Sequence, residues 1–335
     1  MSSTTLPTNL INLNGQKNGL DSQTSFAQDV SLGLNKKSKT LSSRYFYDGQ
    51  GSQLFRQIMS LPEYYLTRCE HEILTDQKEA ISQAFAQKGF FHLIDLGAGD
   101  ALKTKIVIKE LIRQEVTFEY VPVDISGDAM RELEADFQIE IPQAKVQPVV
   151  GDYFSALEWL HQHKPERKVI LFLGSNIGNF TISESIAFLQ RIRHYLEPGD
   201  LLFLGVDLKK DPSIIWRAYA DATGVTAEFN LNLLRRINRE LGGNFQVDQF
   251  QHHAIYNPLE GVMQSFLISR MEQEVYLAAT QETFHFEAWE AIHTENSHKY
   301  SQKSISEMAA KSNFRIDAVF QDHKNYFADI LLIAD

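Results

Sequence analysis

The chain has 335 residues, 43% of them hydrophobic and 22% charged, enough to bury a core in two modest domains or in one domain with a large insertion. Its 32 Lys and Arg stand against 43 Asp and Glu, and the net charge of −11 opposes binding to nucleic acid or an anionic membrane, leaving a small molecule as the expected partner. Cys69 is the single cysteine, which excludes an intramolecular disulfide and a cysteine-built zinc site, and no run approaches the ~20 apolar residues of a bilayer span.

Residues 1–39 are rich in Ser, Thr, Asn, Gln and Gly and end in the basic patch Lys36-Lys37-Ser38-Lys39, so they read as a mobile tail. Nothing in them resembles a signal peptide, and a cytoplasmic monomer is expected. From residue 92 the pattern alternates strand and helix. Apolar runs at His92–Leu96, Phe118–Ile125, Val146–Val150, Val169–Leu173 and Leu201–Val206 are separated by helical stretches such as Lys103–Arg113, Gly127–Phe137 and Ser183–Leu196. That alternation predicts a parallel sheet covered by helices on both faces. Arg315–Phe320 and Phe327–Ile333 flank a turn too short for a parallel crossover, so they form an antiparallel hairpin. An α/β sheet closed in this way resembles the Rossmann-like class I methyltransferase fold.

Between the sheet and the hairpin lies an insertion. Asp211-Pro212 starts a first helix, Thr226 is placed to cap a second that stops at Gly242-Gly243, and His253–Tyr256, Met263–Ser269 and Gln273–Ala278 read as strands. Residues 40–72 and 208–298 are therefore expected to form a substrate-recognition domain. Residues 73–207 and 299–335 would form the cofactor-binding one.

The strongest local signal is Leu93-Ile94-Asp95-Leu96-Gly97-Ala98-Gly99-Asp100, an apolar strand ending in a glycine turn ahead of a helix. Glycine there lets the backbone turn sharply and approach a ligand. Asp124 ends the next strand 25 residues beyond Gly99, where its carboxylate can accept both hydroxyls of a ribose. Leu102 argues against a dinucleotide fingerprint and against a phosphate-binding loop, and it leaves Lys103 to meet a carboxylate. Gly151-Asp152-Tyr153 follows the third strand. Asp152 either accepts from an adenine amino group, with Tyr153 covering the ring, or belongs to a solvated turn. Asn179, in Leu173-Gly174-Ser175-Asn176-Ile177-Gly178-Asn179, offers both a donor and an acceptor to an amino acid, or holds a left-handed turn.

With these segments in order the chain resembles the histidine-specific N-α-methyltransferases of ergothioneine synthesis. The similarity runs from about Leu41 onward. It includes Phe46-Tyr47-Asp48, Leu61-Pro62-Glu63-Tyr64-Tyr65 with Thr67-Arg68, the glycine turn, Tyr120-Val121-Pro122-Val123-Asp124, Asp207-Leu208 with Lys210-Asp211-Pro212, Ile237-Asn238-Arg239-Glu240-Leu241, and Thr294-Glu295 with Lys299. The resemblance implies S-adenosylmethionine as cofactor, held by Tyr47, Gly97, Lys103, Asp124, Asp152 and Tyr153. It also implies that Tyr64, Asn179 and Tyr219 grip the backbone groups of L-histidine while Glu295 and Ser297 read its imidazole. Tyr153 stands where Phe is expected, Asn296 where an apolar residue is, and Ser265 where Met is.

The expected reaction is direct displacement by a neutral amine, repeated three times, with Tyr47 the candidate catalytic residue that polarises or guides the departing proton. The alternative within the same chemistry is another aromatic amino acid or amine such as tryptophan. A metal-dependent oxygenase would draw on His252, His253, His293, Glu295 and His298, but these lack a recognised ligand spacing, and no metal is expected. A binding module without activity conflicts with the intact acidic, lysine and glycine positions.

Overall fold

Runs of β-branched and leucine residues with no polar alternation form strands covered on both faces, and here they build the centre of the molecule. The structure, a computed structural model, describes residues 9–13 and 19–335. In chain order the strands are β1 (Ile11–Asn12), β2 (Phe91–Leu96), β3 (Phe118–Asp124), β4 (Val149–Val150), β5 (Lys168–Phe172), β6 (Leu201–Asp207), β7 (Phe250–Asn257), β8 (Val262–Ser269), β9 (Gln273–Leu277), β10 (Glu282–Phe286), β11 (Ala291–His298), β12 (Phe314–Gln321) and β13 (Phe327–Ala334). One 8-stranded sheet runs β1-β4-β3-β2-β5-β6-β13-β12. Its strands are parallel from β1 to β6, and β13 lies antiparallel to both β6 and β12. This is the class I methyltransferase sheet with its antiparallel closing hairpin, as expected.

The insertion adds a 3-stranded sheet, β11-β8-β7, and the pair β10-β9. Helix Pro212–Tyr219 starts at the expected cap, with the Asp211 carboxylate accepting the Ser213 amide at 2.8 Å. The next helix, Val225–Leu241, corrects the cap assigned to Thr226. Thr226 lies buried inside the helix, and Asp221 accepts the Val225 and Thr226 amides at 3.0 and 2.9 Å. The chain leaves the large sheet at Asp207-Leu208 and returns at Lys299-Tyr300, and these two crossings lie side by side. Tyr300 N donates to Asp207 O and Lys209 N to Tyr300 O, each at 2.8 Å, and Leu208 and Tyr300 form a parallel bridge.

The tail expected over residues 1–39 is also corrected where the structure describes it. Residues 11–12 add a parallel strand beside β4, and Gly19–Leu34 form a helix whose Phe26, Val30 and Leu34 are buried at helical spacing. Phe26 packs against Tyr45 with ring centroids 4.2 Å apart, and the Arg236 guanidinium lies beside both rings. Residues 1–8 and 14–18 of the expected tail lie outside the described residues. No helix among the described residues is long and apolar enough to cross a membrane.

Candidate active site

The glycine turn after β2 is left-handed at both glycines, with φ of 77° at Gly97 and 55° at Gly99. A Cβ on Gly97 would stand 2.9 Å from the Tyr153 hydroxyl, so the absence of a side chain lets that phenol reach the turn. The Tyr153 ring packs edge-on against Phe172 and Phe188, and burial pushes its pKa up to about 12. Asp124 ends β3 and accepts the Ser126 amide at 2.9 Å, while burial raises its pKa above the ordinary carboxylate value. Beneath the turn Asp95 accepts from Thr104 at 2.6 Å and Tyr120 at 3.0 Å, and burial raises it to about 6.

Both readings left open for Asp152 concern the same carboxylate, and the structure uses it as a helix cap. It accepts the Phe154 and Ser155 amides at 3.0 and 3.1 Å and the Ser155 hydroxyl at 2.5 Å, at the start of helix Tyr153–His163. Lys103, expected to meet a carboxylate such as that of the cofactor's methionine end, is ion-paired within the chain to Glu70. Glu70 is fully buried on helix Tyr65–Asp76 and also accepts the Gly174 amide at 2.6 Å. That helix runs across the domain boundary expected at residue 72.

Next to this turn a second cavity gathers Tyr47, Tyr64, Asn179, Tyr219, Glu295 and Ser297, and Gly174 lines it as well. Tyr64 directly precedes helix Tyr65–Asp76 and is held there by Arg68, whose guanidinium donates to the carbonyls of Leu61, Pro62 and Tyr64. Its ring meets that of Tyr219 edge-on at 6.2 Å. Tyr47 rests on Phe55 and Phe229 and is partly exposed. Burial raises its pKa, and the charges of Glu295, Tyr153 and Tyr219 add to the rise. Asn179 is not the left-handed residue of its loop. Gly174 and Ser175 are, with φ of 77° and 57°, and the Asn176 side-chain amide donates to the Leu173 carbonyl at 2.9 Å, while Asn179 lines the cavity.

Thr-Glu-Asn-Ser, which could have been a solvated turn, lies within β11. Glu295 and Ser297 alternate along it and share a face, opposite Ser265 and Met263 of β8. Among the described residues Glu295 has no hydrogen-bond partner, and burial pushes its pKa to about 7 against the opposing pull of Lys299. Asn296 takes up its unexpected polarity on the other face, where its carbonyl oxygen accepts from Gln264 at 3.2 Å and pairs with His293 Nε2 at 3.0 Å.

Behind the cavity lies a polar group that the sequence reading quoted as motif residues without assigning a role. Asp207, fully buried at the end of β6, accepts the Tyr65 hydroxyl at 2.8 Å and is ion-paired with Lys210 and with Lys299. Lys299 Nζ also donates to Tyr219 Oη at 2.8 Å and Ser297 Oγ at 2.7 Å, and these two hydroxyls bond each other at 2.7 Å. The available signal was a charged residue closing the apolar run Leu201–Val206. The residues considered for a metal do not converge: among the described residues the one group of metal-ligating type is Glu72, Asp76 and His323, on helix Tyr65–Asp76 and in the β12–β13 turn.

Residues 26–334 match the model of a family described as histidine-specific, SAM-dependent methyltransferases. Over 288 residues the chain is 37% identical to a histidine N-α-methyltransferase of Mycolicibacterium smegmatis, covering 86% of this chain and 88% of that protein. It is 32% identical over 241 residues to ergothioneine biosynthesis protein 1 of Neurospora crassa, covering 67% of this chain and 27% of that one. A 4-dimethylallyltryptophan N-methyltransferase of Claviceps purpurea is 28% identical over 208 residues, covering 58% of this chain and 59% of its own.

Proposed function

Since the chain belongs to the histidine-specific, S-adenosylmethionine-dependent methyltransferases, we propose that it methylates the α-amino nitrogen of L-histidine three times in succession, giving N,N,N-trimethylhistidine (hercynine) for ergothioneine synthesis. The observation that carries the reading is the polarity of the cavity. Asn179, Tyr64 and Tyr219 bring donors to the cavity, and Glu295, whose carboxyl has no hydrogen-bond partner among the described residues, lies on β11 with Ser297, whose hydroxyl bonds that of Tyr219. Histidine presents a carboxylate, an amine and a ring carrying an N–H and an acceptor nitrogen, which such a set can satisfy.

Gly97, Asp124, Asp152, Tyr153 and Tyr47 would hold the cofactor, with Lys103 positioned by Glu70 at the end nearest Gly174. The bare glycine turn and the strand-end carboxylate fit a nucleoside, and the cofactor supplies an electrophilic methyl group on a sulfonium. Residues 40–72 and 208–298 would recognise the amino acid, and 73–207 with 299–335 would hold the cofactor. Asn179, Tyr64 and Tyr219 orient the amine, and alignment of this kind contributes on the order of 7–11 kcal/mol to a displacement. The amine must lose a proton before each transfer. Tyr47, held as a neutral phenol by burial, guides that proton toward solvent at its exposed edge. The enzyme acts on this small molecule as a cytoplasmic monomer.

Incubation with methyl-labelled cofactor and the twenty amino acids tests the reading. Label is expected in trimethylated histidine alone, with all methyl groups on the α-nitrogen. Label on an imidazole nitrogen, or on another amino acid in preference, would overturn it.

A further inference from the structure

We infer that Lys299 is a positioning residue for substrate recognition, acting through Tyr219 and Ser297 to turn one hydroxyl hydrogen into the cavity. The inference rests on histidine being the substrate and concerns how its acceptor atoms are read.

The argument is a count of hydrogens. A lysine ammonium has three N–H donors and no acceptor. All of them are used here, on Tyr219 Oη at 2.8 Å, Ser297 Oγ at 2.7 Å and Asp207 Oδ2 at 2.8 Å. Lys299 is buried among these groups, so the donors have no solvent alternative. Both hydroxyl oxygens are thus acceptors toward Lys299. They also bond each other at 2.7 Å, and that bond takes one hydrogen from one of them. The pair has two hydroxyl hydrogens, so the second has no partner inside the network. Tyr219 and Ser297 both line the cavity, and the remaining hydrogen is directed there.

Asp207 keeps the arrangement from reversing. It accepts the Tyr65 hydroxyl and is ion-paired with Lys210 as well as Lys299, which holds the ammonium in place. Were Lys299 absent, each hydroxyl would gain a free lone pair, and the pair could meet the substrate as an acceptor equally well. With Lys299 present a single lone pair is left beside the spare hydrogen, so the pair is biased toward donating to an acceptor on the amino acid. Histidine has two such acceptors: its carboxylate, within the reading reached through Tyr219, and its unprotonated ring nitrogen, reached through Ser297. Glu295, an acceptor in its ionised form, supplies the complementary group on β11.

The test is a pair of double-mutant cycles on histidine methylation, with cofactor affinity measured by calorimetry on every variant as the check of folding. Lys299→Met is expected to raise the KM for histidine about tenfold, the loss of one buried hydrogen bond, with kcat changed less and cofactor affinity unchanged. In the background that loses the partner hydroxyl, Tyr219→Phe or Ser297→Ala, the same substitution should have less than half that effect. Coupling confined to the Tyr219 cycle assigns the donated hydrogen to the carboxylate, and coupling confined to the Ser297 cycle assigns it to the ring. Lys299→Gln, which retains two N–H donors without the charge, should recover most of the KM and also serves if the methionine variant does not fold. Additivity in both cycles, or a Gln variant as impaired as Met, overturns the inference and leaves Lys299 a buried counter-ion to Asp207. Wild-type protein that fails to methylate histidine would instead overturn the substrate reading.

Discussion

Glu295 and Ser265 stand directly opposite each other across β11 and β8, and of the two the glutamate lines the cavity. With a small buried serine opposite the glutamate, the proposed recognition of the ring would fall to Glu295 and Ser297. Glu295→Ala is therefore expected to raise the KM for histidine strongly and to reduce discrimination against phenylalanine and tryptophan, since each buried polar group left unpaired costs about 1–3 kcal/mol. Cofactor affinity should stay nearly unchanged. Loss of cofactor binding, or retained preference for histidine, would return Glu295 to a structural role.

The same residue makes a prediction about pH. Burial raises the Glu295 pKa from an ordinary 4.5 to about 7, so the folded state holds a proton that the unfolded chain releases. Its contribution to stability is present below the ordinary value and is lost as pH rises through about 7. Thermal unfolding of the ligand-free protein should show wild type losing stability relative to Glu295→Gln across that interval. Histidine binding should strengthen over it, because the carboxylate is the form that accepts a ring N–H. A constant difference between the two proteins would contradict both statements.

Asp124→Ala is expected to abolish measurable cofactor binding in a chain that remains folded. The carboxylate sits at the end of β3, away from the packed core, and two charge-assisted hydrogen bonds to ribose would contribute about 1.5–3 kcal/mol each. Unchanged affinity by calorimetry would remove Asp124 from the site.

One substitution can separate the helix cap that Asp152 forms from the cofactor contact proposed for it. Asp152→Ser keeps a good N-cap for helix Tyr153–His163 and removes the carboxylate. The melting temperature should hold while cofactor affinity falls about tenfold, as for one lost charge-assisted bond. Asp152→Ala should lose about 1 kcal/mol of stability in addition, and the difference between the two variants measures the cap.

Phe26→Ala tests whether helix Gly19–Leu34 belongs to the folded unit. Phe26 is 2% exposed, beside Tyr45 and the Arg236 guanidinium. Truncating a buried phenylalanine costs about 3–5 kcal/mol, visible as a lower denaturation midpoint. A midpoint equal to wild type would detach the helix from the core.

The parallel strands were legible because sheets covered on both faces need uninterrupted apolar runs, and Leu93-Ile94 or Val169-Ile170 supply them without competition from polar alternation. The glycine turn was legible for a similar reason, since few residues tolerate its backbone. β11 was harder. Its cavity face carries Glu295 and Ser297 and its other face carries Asn296 and His293, so no apolar period marks it as a strand. The N-terminal helix had its signal in Phe26, Val30 and Leu34, diluted by Ser, Gln and Gly between them. The resemblance brought the cavity residues together, yet the buried Glu70 and Lys299 could be found only once distant segments were folded onto each other. Asp221 capped its helix from a position four residues before Val225, too far upstream for the usual cap spacing.

The adjoining crossings at Asp207-Leu208 and Lys299-Tyr300 make the insertion a detachable module in evolutionary terms. Because its two ends emerge as neighbours, pinned by backbone bonds to each other, the sheet on one side sees a gap little wider than a hairpin. An alternative segment with the same adjoining ends can occupy the place of residues 208–298 without moving β6 or β13, in the way that inserted domains are accepted where chain ends lie close. The glycine turn and Asp124 would remain as they are, while the wall bearing Glu295 and Ser297 would be exchanged whole. On the proposed roles of these residues, the part of acceptor choice carried by the insertion would be free to diverge at a different rate from methyl-donor use within one polypeptide.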